Sequence, residues 1–309
     1  MKAWIKRVEG LRLEDVPTPI QHSDELLLEV EAISLNRGEL RSAARAADGV
    51  VPGWDVAGTV TAQAPNGKGP TVGARVVALV AGGGWAEQVS VPGAQAAVVP
   101  ENVALEVAAT LPVAALTVVR ALQITGSLLG KKMLVTGAAG GVGQFALQMG
   151  NLAGAVVTGA SSRRAEWQAL HELGAHQMVA AVDEATDSFD FILESVGGPT
   201  LARAIERLAR GGGLVAIGNS SEEETTFNAR TLYAKGGAWI YGLLIFDEVL
   251  SRRIDGRDLE RVLSMVQSGK LRTSVALRRD WSELPSVLEE FERRSYTGKA
   301  VLTRTVRQK

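Results

Sequence analysis

Residues 131–149, KKMLVTGAAGGVGQFALQM, carry the clearest chemical signal in the chain. An apolar run over 133–136 enters a glycine-dense turn and continues into a helical pattern over 142–148. This order of strand, tight turn and helix start suits a dinucleotide. Glycines let the backbone approach a pyrophosphate, and the first N–H groups of a helix lack internal partners and favour an anion. The turn glycines are Gly137, Gly140, Gly141 and Gly143. Glycine is common here, 34 of 309 residues, so spacing alone says little. The position between a strand and a helix is what gives the match its meaning.

The tip of the next strand reports on which dinucleotide. A carboxylate there would bond an adenosine ribose, whereas a phosphate needs positive charge. The sequence VVTGASSRRAEW has no acid at the tip and offers Ser161, Ser162, Arg163 and Arg164. Arginine can grip a phosphate with two donors, and hydroxyls add more. Two cations at a helix start gain nothing from its dipole. The expectation is NADPH. Hydride chemistry then belongs to the nicotinamide, and the protein positions the ring and the acceptor. No Tyr-xxx-Lys pair or His–Asp relay is evident, and Tyr233, Tyr241 and Tyr296 all lie late in the chain. Reduction of a quinone or an activated carbon–carbon double bond, with the proton drawn from solvent, fits such a residue set. Asn36 follows a strand and precedes a short helix over 39–47. It can cap that helix or, at a cleft, orient a bound ring.

Composition narrows the class. With 33 basic and 34 acidic residues the net charge is −1, which argues against nucleic acid or an anionic membrane surface as partner. No cysteine is present, so disulfides, thiolate zinc ligands and cysteine nucleophiles are excluded. His22, His171 and His176 read as surface or structural residues. Asp55, with no cysteine or nearby histidine, is no metal ligand and can cap a turn or hold a loop. No long apolar segment opens the chain and no apolar run reaches spanning length. A cytoplasmic protein without a membrane partner is expected.

Stepping outward, the elements fall into two styles. Residues 1–8 and 25–35 alternate as strands of an antiparallel sheet, joined by a turn-rich stretch with Pro17 and Pro19. Further short strands are expected at 72–80, 85–91 and 96–99, giving a compact β-rich domain. Trp54 and Trp85 either line an aromatic-acceptor cleft or fill the barrel core. Helices broken at Pro112 lead into alternating strands and helices. Strands are expected at 155–158, 177–182, 189–195 and 214–217. One helix is expected over 161–174, and another over 200–208, ended by Gly211–Gly213. That alternation is the doubly wound α/β pattern. Residues 239–246 read as a sheet edge that either pairs with a second copy or lies under a helix. Residues 247–267 read as largely helical. A strand, a helix and a final strand then return the chain to the first domain.

These residues resemble the zinc-independent quinone oxidoreductase branch, zeta-crystallin-like, of the medium-chain dehydrogenase/reductase superfamily, over essentially the whole chain. The match rests on PGWDVAGTV, the strand and turn over 134–143, ESVGG at 194–198, GGGLVAIG and the closing TGKAVL. The resemblance implies a GroES-like β-barrel catalytic domain from 1–112 and 255–309 around a Rossmann NADPH-binding domain at 113–254. It implies that Ala138, Gly140, Gly141, Val142 and Gly143 cradle the cofactor. It places Ser161 and Arg164, with Arg163 beside them, at the adenosine phosphate, Arg164 replacing a family lysine. Gly197, Gly218, Asn219, Gly242 and Leu243 line the cofactor, and Asn36 stands near the nicotinamide as the catalytic candidate. A homodimer acting on a small quinone or enone is implied. Gly53-Trp54-Asp55 stands where zinc alcohol dehydrogenases hold Gly-His-Glu, which disfavours zinc chemistry. Two departures mark the acceptor side. A family tyrosine is replaced within 180–182, and the region 39–50 is short. The proton-donating tyrosine of related enoyl reductases is also missing near Asn36.

Overall fold

In the computed structural model of the chain, residues 1–251, 253, 255–293 and 295–305 are described. The chain divides into two compact units, Met1–Leu116 with Val249–Lys309, and Thr117–Glu248. The expected domain limits at 254 and 309 fall outside the described residues.

The first unit opens with β1 (Lys2–Arg7) and β2 (Gly10–Asp15), an antiparallel hairpin. The sequence reading put the first strand in one antiparallel sheet with residues 25–35. Instead β1 pairs with β2, an element that reading missed, and meets the larger sheet's surroundings by a bridge from Ala3 to Ala86. β3 (Glu25–Ser34) shows why it is a strand: Leu26, Leu28, Val30 and Ala32 turn inward while Glu25, Leu27, Glu29 and Glu31 alternate with them. After α1 (Arg37–Arg45) come β4 (Asp55–Ala62), β5 (Arg75–Leu79), β6 (Gln88–Pro92) and β7 (Ala96–Val98). The two middle strands are shorter than the sequence spans of 72–80 and 85–91. α2 (Leu105–Ala109) and α3 (Pro112–Thr125) follow, with Pro112 opening the second helix, where its missing N–H does no harm.

The second unit is built from β8 (Lys132–Thr136), α4 (Gly141–Leu152), β9 (Val156–Ala160), α5 (Trp167–Glu172), β10 (Gln177–Val179), β11 (Phe189–Glu194), α6 (Gly198–Glu206), β12 (Leu208–Ala216), α7 (Ala229–Tyr233), β13 (Trp239–Gly242) and α8 (Ile245–Leu250). The six strands lie in the order β10-β9-β8-β11-β12-β13, all parallel. Counted from β8, that is the 3-2-1-4-5-6 order of a doubly wound sheet, with its switch between β8 and β9 on one side and β11 on the other. Leu134, Phe189, Ile192, Ile205 and Leu214 fill its core.

Four expectations in this unit are corrected. Gly211–Gly213 do not end a helix; they lie within β12. A Cβ on Gly213 would sit 2.1 Å from the Trp239 ring, so the missing side chain makes room for that indole on the neighbouring strand. The helix over 161–174 shrinks to a 3₁₀ turn at Arg164–Glu166 followed by α5. β10 stops at Val179, and Val182–Glu184 is a second 3₁₀ turn. The edge segment 239–246 is strand only to Gly242, because Ile245 and Phe246 open α8.

The chain then forms α9 (Gly256–Gln267), β14 (Val275–Asp280), α10 (Leu284–Glu292) and β15 (Lys299–Thr303). These belong to the first unit. Its larger sheet runs β14-β15-β3-β4-β5-β7, with β6 also paired to β3. Trp85, Leu26, Leu28, Ile33 and Leu35 are wholly buried in that unit's core. Trp4 and Trp281 pack edge to face there at 6.1 Å.

Candidate active-site residues in each unit

Because every strand of the second unit points the same way, the segments after β8, β9, β11, β12 and β13 share one sheet edge. The glycine turn, Ser161, Gly197, Gly218 with Asn219, and Gly242 with Leu243 all follow those strands.

The turn after β8 requires its glycines. Gly137 has φ +59°, and a Cβ there would lie 2.6 Å from the Ser195 hydroxyl. A Cβ on Gly143 would lie 2.4 Å from the Gly137 carbonyl and 2.7 Å from Ala138 Cα. That last glycine lets the helix close on the turn. Gly140 is the exposed N-cap, and Ala138 is buried with its N–H donated to Ala160 O at 3.1 Å. The amides of Gly141, Val142 and Gly143 are the first N–H groups of a 12-residue helix, the geometry that receives a phosphate. The donor set and the side-chain-free cradle fit a dinucleotide pyrophosphate.

Glu194 closes the neighbouring strand. It is wholly buried. Its Oε1 accepts from the Thr136 hydroxyl (3.1 Å), Val196 N–H (2.8 Å) and Gly197 N–H (3.1 Å), and its Oε2 also accepts from Gly197 (3.1 Å). Ser195 N–H donates to Thr136 Oγ1 at 3.0 Å, and Ser195 Oγ donates to Thr136 O at 3.1 Å. The turn after β11 is thereby tied to the end of β8, at the switch point. Burial pushes the Glu194 carboxyl above its ordinary range, against the pull of those donors.

At the tip of β9, Ser161 is buried, and its Oγ accepts the Arg163 N–H at 3.3 Å. Arg164 projects outward with its guanidinium over Trp167, 4.7 Å from the ring centroid. Arg163 reaches Glu166 at 3.5 Å. Gly218 and Asn219 are exposed, and Asn219 Oδ1 accepts from Ser221 Oγ at 3.2 Å. Gly242 is exposed, and Leu243 is buried with its N–H donated to Ala216 O at 2.8 Å. His22, His171 and His176 are all exposed.

In the first unit Asn36 anchors a buried polar cluster. Its Nδ2 donates to Asp55 Oδ2 at 2.8 Å, and its Oδ1 accepts from Lys299 Nζ at 2.6 Å. The amide orientation is unambiguous, since ammonium only donates and carboxylate only accepts. Lys299 also donates to Asp55 Oδ2 (3.2 Å) and Leu35 O (3.0 Å), while Asp55 Oδ1 accepts the Val113 N–H (2.9 Å). Glu39, three residues on, accepts Asn36 N–H at 3.0 Å and Trp54 N–H at 2.7 Å, which fixes the start of α1. Asn36 is 8% exposed, Lys299 4% and Asp55 1%. Burial pushes Glu39 up to about 8, with the Asp55 charge adding and the backbone donors and Lys299 opposing. Burial pushes Asp55 up as well, against Lys299, Asn36 and Val113.

Asn36 is therefore the start of α1, one of the two roles left open by the sequence, and also a member of a buried charged network. Trp85 is wholly buried in the core, which removes it from any acceptor cleft; Trp54 is half-buried and lies 3.1 Å from where a Gly38 Cβ would be. Sequence reading missed Lys299, Glu39 and Glu194 as site residues. A lone lysine at the head of the apolar strand KAVLT and the Asn-x-x-Glu spacing were the available signals. Among the described residues no group of three or more His, Asp and Glu is placed to hold a metal ion, and no helix is long and apolar enough to cross a membrane.

Two family profiles match the chain. The alcohol dehydrogenase GroES-like domain covers residues 22–101, and the zinc-binding dehydrogenase family covers 141–260. A chloroplast envelope quinone oxidoreductase homolog of Arabidopsis thaliana is 27% identical over 317 residues, spanning 95% of this chain and 94% of that protein. An acryloyl-coenzyme A reductase of Sulfurisphaera tokodaii is 25% identical over 304 residues, 87% of this chain and 89% of its own length. A mycobacterial protein solved with NADPH is 25% identical, with a TM-score of 0.86 over 98% of this chain and 100% of that one.

Proposed function

The chain is an NAD(P)-dependent oxidoreductase of the medium-chain dehydrogenase/reductase superfamily, in its quinone oxidoreductase-like branch, and from that premise we propose that it uses NADPH to reduce a quinone or another activated α,β-unsaturated carbonyl without zinc. The observation that carries the cofactor choice is the β9 tip, where Ser161 and Arg164 follow the strand and no carboxylate lies between it and Glu166 in sequence. Bound NADPH supplies the hydride; for an enone the hydride goes to the β-carbon and a solvent proton to the α-carbon, leaving NADP⁺ and the saturated ketone. The chain's own residues bind and orient. The Gly141–Gly143 amides take the pyrophosphate, Ser161, Arg163 and Arg164 take the 2′-phosphate, and Gly197, Gly218, Asn219, Gly242 and Leu243 line the rest.

Asn36 is the residue we assign to the nicotinamide and the acceptor. Lys299 on its oxygen and Asp55 on its nitrogen fix the amide plane and leave one Nδ2 proton to donate. The donor chemistry does not suit catalytic zinc: no cysteine exists, and Trp54 stands where zinc relatives hold histidine. Residues 1–112 and 255–309 form the catalytic domain in this reading, and 113–254 the cofactor domain. A cytoplasmic homodimer, paired through the β13 edge, completes it.

A second reading is favoured by the acryloyl-coenzyme A reductase similarity: an acrylyl or enoyl thioester as acceptor, reduced by the same hydride addition. The test is a panel of an unhindered quinone, an α,β-unsaturated ketone and an acrylyl thioester, followed by loss of NADPH absorbance. Turnover of the quinone or ketone, unaffected by chelator or added zinc, is expected, with NADPH bound more tightly than NADH. Equal affinities for the two cofactors overturn the NADPH assignment. Preference for the thioester selects the second reading, and firm NADPH binding without turnover of any acceptor leaves a binding protein.

A further inference from the structure

One side chain sets both ends of the proposed phosphate grip. Trp167 opens α5, and its indole N–H donates to the Ser161 carbonyl at 2.9 Å. The face of the same indole carries the Arg164 guanidinium at 4.7 Å. Ser161 is held from its other side as well, by its N–H to Val179 O at 2.9 Å and by the Arg163 N–H on its Oγ at 3.3 Å. Those bonds leave the hydroxyl proton to be donated.

Arg164 is otherwise a long side chain, 64% exposed, with many rotamers open to it. Stacking on an indole removes much of that freedom and keeps the fork of donors planar and outward. Glu184 Oε1 lies 3.5 Å from one terminal nitrogen, and Glu184 is itself held through Oε2, which accepts the Ala180 N–H at 2.9 Å. A guanidinium has five N–H donors. One long contact to Glu184 therefore steadies it and leaves donors for an anion.

We propose that Trp167 is the specificity-determining positioning residue of this chain: it holds Ser161 and Arg164 as one unit that reads a 2′-phosphorylated adenosine. The inference rests on the NADPH reading above and adds the residue that makes the preference depend on geometry, in addition to charge.

The experiment is calorimetric titration of the intact protein with adenosine 2′,5′-bisphosphate and adenosine 5′-phosphate, which differ only in the 2′-phosphate. Trp167→Leu removes ring face and N–H; Trp167→Phe keeps a ring face. Wild type binds the bisphosphate more tightly. Trp167→Leu weakens the bisphosphate about two- to fivefold, the range of an exposed cation–π contact, and leaves the monophosphate unchanged. Trp167→Phe falls between, and Trp167→Leu costs less in an Arg164→Ala background than in wild type. Discrimination by wild type that is undiminished in Trp167→Leu overturns the inference alone. So does equal loss for both ligands in Trp167→Phe with an unaltered circular dichroism spectrum. Equal wild-type affinities overturn the NADPH reading and the inference together.

Discussion

Replacing Lys299 by methionine isolates the buried cluster of the first unit. The substitution keeps an unbranched side chain of similar length and removes three donated bonds, to Asn36 Oδ1 (2.6 Å), Leu35 O (3.0 Å) and Asp55 Oδ2 (3.2 Å). Asp55, 1% exposed, then keeps only the Asn36 amide and the Val113 N–H as donors. Breaking a buried ion pair from one side typically costs about 3–5 kcal/mol, because the surviving charge stays desolvated. The orphaned Leu35 and Asn36 oxygens act in the same direction. A loss of about 3–5 kcal/mol is therefore expected in the first unit. Urea unfolding reads it through tryptophan emission, since Trp4, Trp54, Trp85 and Trp281 lie in that unit and only Trp167 and Trp239 in the other. With a slope near 3 kcal/mol/M the midpoint falls by about 1–2 M. The double variant Lys299→Met with Asp55→Asn removes the stranded charge. It recovers about 2 kcal/mol but not all, because one amide oxygen cannot serve both Asn36 and Val113. A single variant within 1 kcal/mol of wild type, or a double variant whose losses simply add, refutes the reasoning.

Two further outcomes follow. Glu39 holds its proton in the folded state up to about 8 against an ordinary 4.5, so the folded state binds more protons than the unfolded state across that window. Stability therefore falls as pH rises through it. Glu39→Gln is less stable at low pH, through the lost acceptor, and has a flatter profile in urea midpoints taken across the window; parallel profiles contradict the assignment. In the glycine turn, Gly143→Ala weakens NADPH binding by about tenfold or more, since a Cβ 2.4 Å from the Gly137 carbonyl forces backbone movement. Gly140→Ala, whose Cβ would meet that carbonyl at 3.2 Å, is milder. The reverse order in a binding titration would sink this account of the turn.

The legible parts of the chain were those in which one local pattern has one structural outcome. The strand, glycine turn and helix of 131–149 emerge as β8, Gly137–Gly143 and α4 because the alternatives are sterically closed. β3 emerges because its alternation matches a half-buried strand. Misreadings arose where distant residues decide. Gly211–Gly213 look like a helix stop until Trp239, on the adjacent strand, claims the space above Gly213. In the site, Asn36 was visible as a residue with two possible roles, but its partners stand 19 and 263 positions away. Local sequence cannot choose a partner across such separations, although a lysine heading an apolar strand signals that a buried anion must exist to meet it.

The two buried carboxylates illustrate how placement dictates the choice of partner. Asp55 begins β4 and is met by a cation, so its charge is balanced inside the first unit, and the cation also grips Asn36. Glu194 ends β11, beside the turn proposed to hold a pyrophosphate, and is met by the Thr136 hydroxyl and by backbone N–H groups. A lysine there would be drawn to the phosphate and would let go of the carboxylate whenever the ligand bound. Backbone donors cannot leave in that way: Val196 and Gly197 are fixed by the chain, and Thr136 is fixed by β8. Burial pushes the Glu194 carboxyl up, and the Val196, Gly197 and Thr136 donors pull the other way. The first unit thus uses a buried side-chain cation to orient an amide, and the second uses backbone and hydroxyl dipoles beside the proposed anion site.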